Sequence, residues 1–246
     1  MSAKKSRLDR RLVKDGLAQS RGRAQAMIMS GKVLVNRQPV DKPGAQISDD
    51  DPVVLKGEDI PYVSRGGFKL AAALAEFDIR PSGLICLDVG ASTGGFTDCL
   101  LQNGAEHVFA VDVGYGQLAW PLRQDPRVTA IERTNIRHMD ADRLPRTVDL
   151  VTVDISFISL KIVIPAVMKF MKSEARIISL IKPQFEVGKG QVGKGGVVKD
   201  AGLHDTVIRS LSAFFSDTGL AVGPVVPSPV LGPKGNREFL ILLRKS

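Results

Sequence analysis

Two acids and a run of glycines in this chain could together hold a polar ligand. Asp88 stands two residues before Gly90-Ala91-Ser92-Thr93-Gly94-Gly95-Phe96, and a second acid, Asp112, follows it by 24 residues. Each acid lies at or near the end of an apolar run, Leu84 to Val89 and Val108 to Val113. Glycines between a strand and a helix let the backbone approach a ligand closely. No Gly-Lys-Ser/Thr is present, so the turn is not a P-loop. Glycines at 90, 94 and 95 do not fit Gly-x-Gly-x-x-Gly either. Readings as a phosphate or dinucleotide site therefore weaken. An acid closing the second strand commonly accepts hydrogen bonds from ribose hydroxyls. Alone, Asp112 is equally well a turn acid; Asp88 beside it favours the ligand.

Four more residues could do acid–base work: Asp154 near the end of a fourth apolar run, Lys182 after the fifth, Glu238 opening the last, and Lys69 ahead of the first. Any one alone reads as a rim charge or a surface ion pair. Four at such positions together favour acid–base chemistry, in which a positioned base is worth a factor of about a hundred or more. Lys182 is the candidate base. A free lysine, with a pKa of about 10.4, is protonated at neutral pH. Desolvation and Lys69 would favour the neutral amine, whereas Asp154 and Glu238 would favour the ammonium and orient it. Nucleophilic cysteine chemistry is not expected: Cys86 falls within a strand and Cys99 within a helix, where both read as core.

Strand ends can place such groups together only if the strands share a sheet. Apolar runs at 84–89, 108–113, 128–131, 150–155, 177–181, 220–226 and 239–243 alternate with helical stretches at 95–103, 116–124, 159–172 and 203–218. A further helix is expected from Phe68 to Phe77. The pattern is that of an α/β doubly wound sheet of seven strands with helices on both faces, whose sites lie at the carboxyl ends of the strands.

The preceding segment is different. The net charge of the chain is +8, and residues 1–42, with eleven Lys or Arg against three acids, carry all of the excess. A polyanion partner is one explanation and a solvated basic face the other. Leu8 and Leu12 with Gly16, then Ser20 with Ala24, Met27, Ile28 and Gly31, predict two short helices. Val33 to Val35, a turn through Asn36 to Pro39, and Val53 to Leu55 predict a small sheet. Arg7, Arg10, Arg11, Arg21 and Arg23 cannot all be buried, so they are expected on the outer side of the helices, where phosphates could be met. The boundary is placed near residue 60, giving a small α+β unit over 1–60 and a larger unit over 61–246.

Arg7-Leu8-Asp9, Leu12, Gly16, Ser20-Arg21, Gly31, Val35-Asn36 and Lys42-Pro43-Gly44 resemble the small RNA-binding domain of a small-subunit ribosomal protein, shared with pseudouridine synthases. Arg37 replaces the glycine many members carry in the turn. The resemblance implies binding to structured RNA through arginines.

The acid, glycine-rich turn and second acid resemble the S-adenosylmethionine site of Rossmann-like methyltransferases. The resemblance implies that Asp88 and Gly90, Ala91, Ser92, Thr93, Gly94, Gly95 and Phe96 hold the amino-acid end, Asp112 the ribose, and Asn135 the adenine, with Asp154 bordering the same pocket. No Pro-Pro-aromatic follows the fourth strand, which weakens amino-base methylation. Lys69, Asp154, Lys182 and Glu238 resemble the catalytic set of FtsJ-type ribose methyltransferases. Over the whole chain, the runs Ser64-Arg65-Gly66-Gly67, Asp112 to Leu118, Glu132-Arg133-Thr134-Asn135 and Gly235-Asn236-Arg237-Glu238-Phe239 resemble the haemolysin-A (TlyA) family. That implies 2′-O-methylation of cytidine in ribosomal RNA. The few residues ahead of the RNA-binding module resemble the branch acting on large-subunit RNA. Some members carry Arg-x-Trp-Val where Ile60-Pro61-Tyr62-Val63 stands here, so the resemblance does not extend to a gating linker. Arg65, Lys189 and Lys194 join the expected RNA contacts, the last two in a basic, glycine-rich loop at 188–196 expected to close over RNA. Phe157 and Phe185 could stack a flipped base, although core packing is the commoner fate.

Two rival readings differ in class. A non-catalytic ribosome assembly factor predicts decay of the four-residue set, which is intact. A membrane-lytic protein needs an amphipathic or spanning segment; the longest uncharged apolar stretch, Ile162 to Met168, contains Pro165 and is far too short. With no signal-like N-terminus and no zinc spacing, a cytoplasmic protein without a metal, bound to ribosomal RNA or ribosomal subunits, is expected.

Overall fold

The computed structural model describes residues 5–18, 20–55, 61–188, 190–193 and 195–245. The chain forms two compact units, Met1–Pro61 and Tyr62–Ser246.

In the smaller unit, β1 (Lys5–Arg7) leads into α1 (Leu8–Lys14), and α2 (Arg21–Met29) is capped by Ser20, whose hydroxyl accepts from the Arg23 amide. β2 (Val33–Val35) pairs with β3 (Gln38–Pro39) and β5 (Val53–Leu55), while β4 (Gln46–Ser48) pairs with β1. Leu8, Leu12, Ala24, Met27, Ile28, Val33 and Ile47 form its core. The hairpin tip, Asn36-Arg37, has φ of 51° and 65°. Arg37 therefore adopts the left-handed conformation a glycine would take more cheaply. Asn36 donates to Asp51 at 2.9 Å, which holds the tip.

The larger unit is a seven-stranded sheet: β6 (Ile85–Val89), β7 (His107–Val111), β8 (Val128–Ile131), β9 (Val148–Val153), β10 (Met171–Ile181), β11 (Leu220–Pro227) and β12 (Phe239–Lys245). Their order is β11-β12-β10-β9-β6-β7-β8, and only β12 runs antiparallel to its neighbours. The order reverses at β6, where β7 lies on one side and β9 on the other, so the end of β6 is a topological switch point. Alternation assigns the two faces. Ile85, Leu87 and Val89 pack with Val163 and Ile164 of α6 (Leu160–Val167) and Leu211 of α8 (Ala201–Asp217). Cys86 packs with Leu70 of α3 (Gly66–Glu76) and Leu100 of α4 (Gly95–Gln102).

Two expected helices are shorter than the periodicity suggested. The stretch 116–124 is helical only in α5 (Trp120–Arg123). Gly116 has φ of 70° and its amide donates to Glu132, so the chain ahead of Pro121 follows the sheet rim instead. The stretch 159–172 ends as α-helix at Val167, tightens into a 3₁₀ turn over Met168–Phe170, and enters β10 at Met171.

Candidate active site

The carboxyl ends of β6, β7, β9 and β10 converge on two cavities of about 420 and 530 Å³. Both are bordered by Gly90, Ser92, Asp154 and Ser156. At this junction the Asp154 amide donates to Val89 at 2.9 Å, tying β9 to β6. Gly90 has φ of 84°, and a Cβ there would strike the Asp154 carbonyl. Only glycine fits.

The smaller cavity holds the four acid–base residues. Lys182 Nζ lies 2.6 Å from Asp154 Oδ1 and donates to Ser156 Oγ at 2.9 Å. Lys69, reaching from α3, donates to Glu238 Oε2 at 2.5 Å. Lys69 and Glu238 are buried, at 8% and 2% exposure. A buried ion pair needs its remaining lone pairs satisfied. Glu238 Oε1 has no hydrogen-bond partner among the described residues, so it remains an acceptor. It rests against Gly232, where any Cβ would collide with it. The four residues thus form two ion pairs lining one cavity, together with Ser64, Arg65 and Gly66.

The larger cavity is lined by Asp112, Val113, Gln117, Asn135, Ile136, Ile155, Phe157 and Ile158, among others. Asp112 accepts the Ser92 amide at 2.8 Å and the Gly114 amide at 2.7 Å. Each carboxylate oxygen keeps a second lone pair for a ligand. The Asn135 side chain accepts from the Arg137 amide.

Asp88 is placed differently from the other expected ligand-holding residues. It is fully buried, borders neither cavity, and accepts from Thr97 Oγ1 at 2.7 Å and Thr152 Oγ1 at 3.0 Å. Burial pushes its carboxyl up to about 6, against the opposing pull of the two threonines. It braces the start of α4 from beneath. Gly94, with φ of 94°, likewise borders neither cavity and faces Leu118 and Leu122. Ala91, Ser92, Thr93, Gly95 and Phe96 do line the smaller cavity.

Burial pushes the Cys99 thiol up to about 12 and raises Cys86 as well, so neither is a nucleophile. Phe157 is 89% exposed, has φ of 66°, and lies against Phe185 with ring centroids 4.9 Å apart.

In the smaller unit, Arg10 and Arg21 are exposed, Arg7 and Arg23 partly so. Arg11 departs from the outward placement expected of all five. Its side chain is 15% exposed and engages Asp15, Asp49 and the carbonyls of Ser48 and Asp49. Asp9, fully buried, binds Arg7 and Arg21 at 2.9 Å and accepts from Gln25. The Arg7 guanidinium above all holds the Asp9 carboxyl far below the usual range. Arg65, in the larger unit, is exposed. Lys189 and Lys194 lie outside the described residues.

Sequence reasoning missed Ser156, Gly232 and Gln117. Ser156 lies two residues after Asp154, but a serine there carries no signal of its own; the partner that gives it a role is 26 residues away.

Among the described residues no group of three or more His, Cys, Asp or Glu could hold a metal ion, and no helix is long and apolar enough to cross a membrane.

FtsJ-like methyltransferases match residues 62–245, and the S4 domain matches residues 6–53. The 16S/23S rRNA (cytidine-2′-O)-methyltransferase TlyA of Mycobacterium tuberculosis is 47% identical over 243 residues, covering 98% of this chain and 91% of that protein. The 23S rRNA (cytidine-2′-O)-methyltransferase TlyA of Campylobacter jejuni is 37% identical, covering 72% of this chain and 69% of its own. A solved structure from Streptococcus thermophilus, described provisionally as a hemolysin, is 43% identical with a TM-score of 0.77, covering all of this chain and 90% of that one. The chain belongs to the FtsJ-like methyltransferase family, and within it to the TlyA and hemolysin A proteins that it matches over nearly its whole length.

Proposed function

We propose that the protein transfers a methyl group from S-adenosylmethionine to the 2′-hydroxyl of a cytidine in ribosomal RNA. One observation carries the reading: two Lys–carboxylate pairs, Lys182–Asp154 and Lys69–Glu238, line one cavity that meets a second at Gly90, Asp154 and Ser156.

The larger cavity suits the donor. Its apolar walls, Val113, Ile136 and Ile158, fit an adenine edge, Asn135 stands beside them, and Asp112 keeps lone pairs for ribose hydroxyls. The turn over Gly90, with no room for a Cβ, lets the donor approach the backbone closely, as a ligand bridging both cavities requires. When bound, S-adenosylmethionine supplies an electrophilic methyl group on a sulfonium, and Lewis-acid activation is not needed.

The chain's own residues do the rest. Lys182 Nζ faces the ribose hydroxyl; having first released a proton to solvent, the neutral amine takes the hydroxyl proton as the oxygen bonds the methyl group, and the Asp154 carboxylate stabilises the ammonium so formed. Ser156 Oγ keeps Nζ directed into the cavity. Lys69 and Glu238 orient the target nucleotide from the wall of the smaller cavity. Phe157, exposed above the junction, offers a face for the extruded base. Residues 1–60 form the RNA-binding unit, with Arg7, Arg10, Arg21 and Arg23 as its phosphate contacts and Asp9 setting the geometry of Arg7 and Arg21; residues 61–246 form the methyl-transferring unit. Arg11 is spent mainly within the fold. Lys189, Lys194 and Arg65 complete the proposed RNA contacts, and a cytoplasmic location would suit work beside ribosomes.

Large-subunit RNA is the first substrate to offer, because it is common to both named TlyA relatives. The experiment measures S-adenosylmethionine binding by calorimetry and transfer of labelled methyl to unmethylated large subunits, small subunits and free RNA. Transfer to at least one ribosomal substrate is expected. Cofactor binding with no transfer to any of them would favour the assembly factor.

A further inference from the structure

The two loops that carry the proposed chemistry are joined by a contact that the reaction itself does not use. After β9 the chain runs through Asp154, Ser156 and Phe157 to Ser159 and Leu160 at the start of α6. After β10 it runs through Lys182 into the single turn α7 (Pro183–Glu186). Glu186 reaches across, accepting from Ser159 Oγ at 2.6 Å and from the Leu160 amide at 2.8 Å. The Leu160 amide lies in the first turn of α6, where amides have no partner within the helix. A carboxylate there also meets the positive end of the helix dipole. Ser159 in turn accepts from the Lys161 amide at 3.2 Å, so three consecutive residues depend on one carboxylate.

The contacts between the two segments form a ladder. Lys182 meets Asp154 and Ser156, Phe185 meets Phe157, and Glu186 meets Ser159 and Leu160. The first rung is in the smaller cavity, and Phe157 borders the larger one. Phe157 holds a positive φ of 66°. A non-glycine residue persists in that region only when its surroundings hold it there. The nearest fixed point on its C-terminal side is the Glu186 contact, two residues on.

We propose that Glu186 is a positioning residue for methyl transfer: by clamping the start of α6 it fixes the spacing between the Asp154–Phe157 and Lys182–Phe185 segments. It touches neither cavity, so it acts only through the residues it aligns. Burial raises the Glu186 carboxyl, while Ser159 and Leu160 favour its charged form, as expected of a working but costly clamp. The inference rests on the proposed transfer reaction for its kinetic readout, and on the fold alone for its structural one.

The test compares wild type with Glu186→Ala, Glu186→Gln and Ser159→Ala. It measures kcat and KM for ribosomal subunits, cofactor Kd by calorimetry, and amide hydrogen exchange over residues 156–160 and 182–186. A misplacement of about 1 Å can cost about a hundredfold in rate. Glu186→Ala should therefore lower kcat by about tenfold or more, with KM and cofactor Kd changed by less than about threefold. Glu186→Gln keeps an acceptor for the Leu160 amide and should recover to within about threefold of wild type. Exchange should quicken in both segments of Glu186→Ala. An unchanged kcat, or a loss carried wholly by cofactor Kd, would overturn the proposal. Should Glu186→Ala not fold, a normal kcat in Ser159→Ala together with unchanged exchange would do so. If wild type itself transfers no methyl, the proposed function fails, and exchange alone decides: unaltered protection in Glu186→Ala removes the clamp.

Discussion

Lys182 Nζ sits 2.6 Å from Asp154 Oδ1, joining the residues that immediately follow two adjacent parallel strands. Each is there because its strand stops there, so the pair is a product of sheet register. Removing the amine should abolish chemistry while sparing the donor cavity. Lys182→Ala is expected to lower kcat by about a hundredfold or more with S-adenosylmethionine affinity nearly unchanged. Single-turnover transfer and calorimetry on the same preparations check both halves.

Lys69 and Glu238 make the more buried pair, and their loss should register in stability as well as rate. Glu238→Ala leaves a lysine ammonium uncompensated, at a cost of about 3–5 kcal/mol. Glu238→Gln keeps a hydrogen bond and should cost less. Urea unfolding followed by a probe in the larger unit separates the two; equal costs would contradict the buried-pair account.

Gly90 is predicted to tolerate no side chain. Gly90→Ala must place a Cβ on the Asp154 carbonyl and hold φ near 84°, so a loss of about 1–3 kcal/mol is expected, together with loss of cofactor binding. Gly116, with positive φ and open space around it, should suffer the strain without loss of binding. Calorimetry on both variants distinguishes them.

Asp88 predicts a pH dependence. Burial raises its carboxyl to about 6, above the value of about 4 in the unfolded chain. The folded state therefore binds the proton more tightly. The stability this contributes is full below about pH 4 and is lost as pH rises through 6, by about 3 kcal/mol. Asp88→Asn should remove that slope, so its stability relative to wild type should be higher at pH 7.5 than at pH 4. Parallel stability curves for the two proteins would contradict the assignment.

For RNA, Arg10→Ala should weaken binding to ribosomal RNA and reduce the slope of log affinity against log salt by nearly one. Arg11→Ala should act mainly on the stability of the smaller unit, because its guanidinium is engaged by Asp15, Asp49 and two carbonyls. Filter binding across a salt series reads the first effect and thermal melting the second.

Much of this arrangement could be read from the chain. Asp154, Lys182 and Glu238 lie at strand ends, and strand ends are legible because β-branched runs stop at polar residues. The doubly wound alternation then brings those ends together. Contacts between segments far apart in sequence were not legible. Nothing local marks Ser156 as the partner of Lys182, Glu186 as the cap of α6, or Gly232 as the surface that accommodates Glu238. The position of Asp88 before the glycines signals a ligand-holding acid. Its side chain turns instead toward Thr97 and Thr152, an orientation set by strand alternation and by two threonines 9 and 64 residues distant. α5 is short because Gly116 and Pro121 break a stretch whose apolar spacing alone looks helical.

The central claim is ribose methylation of ribosomal RNA through the Lys182–Asp154 pair. The most direct measurement is the chemical identity of the product after incubating unmethylated large and small subunits with labelled S-adenosylmethionine. The account predicts label in an alkali-resistant dinucleotide that yields 2′-O-methylcytidine, present with wild type and absent with Lys182→Ala. Label on a base, or equal label with Lys182→Ala, would contradict it.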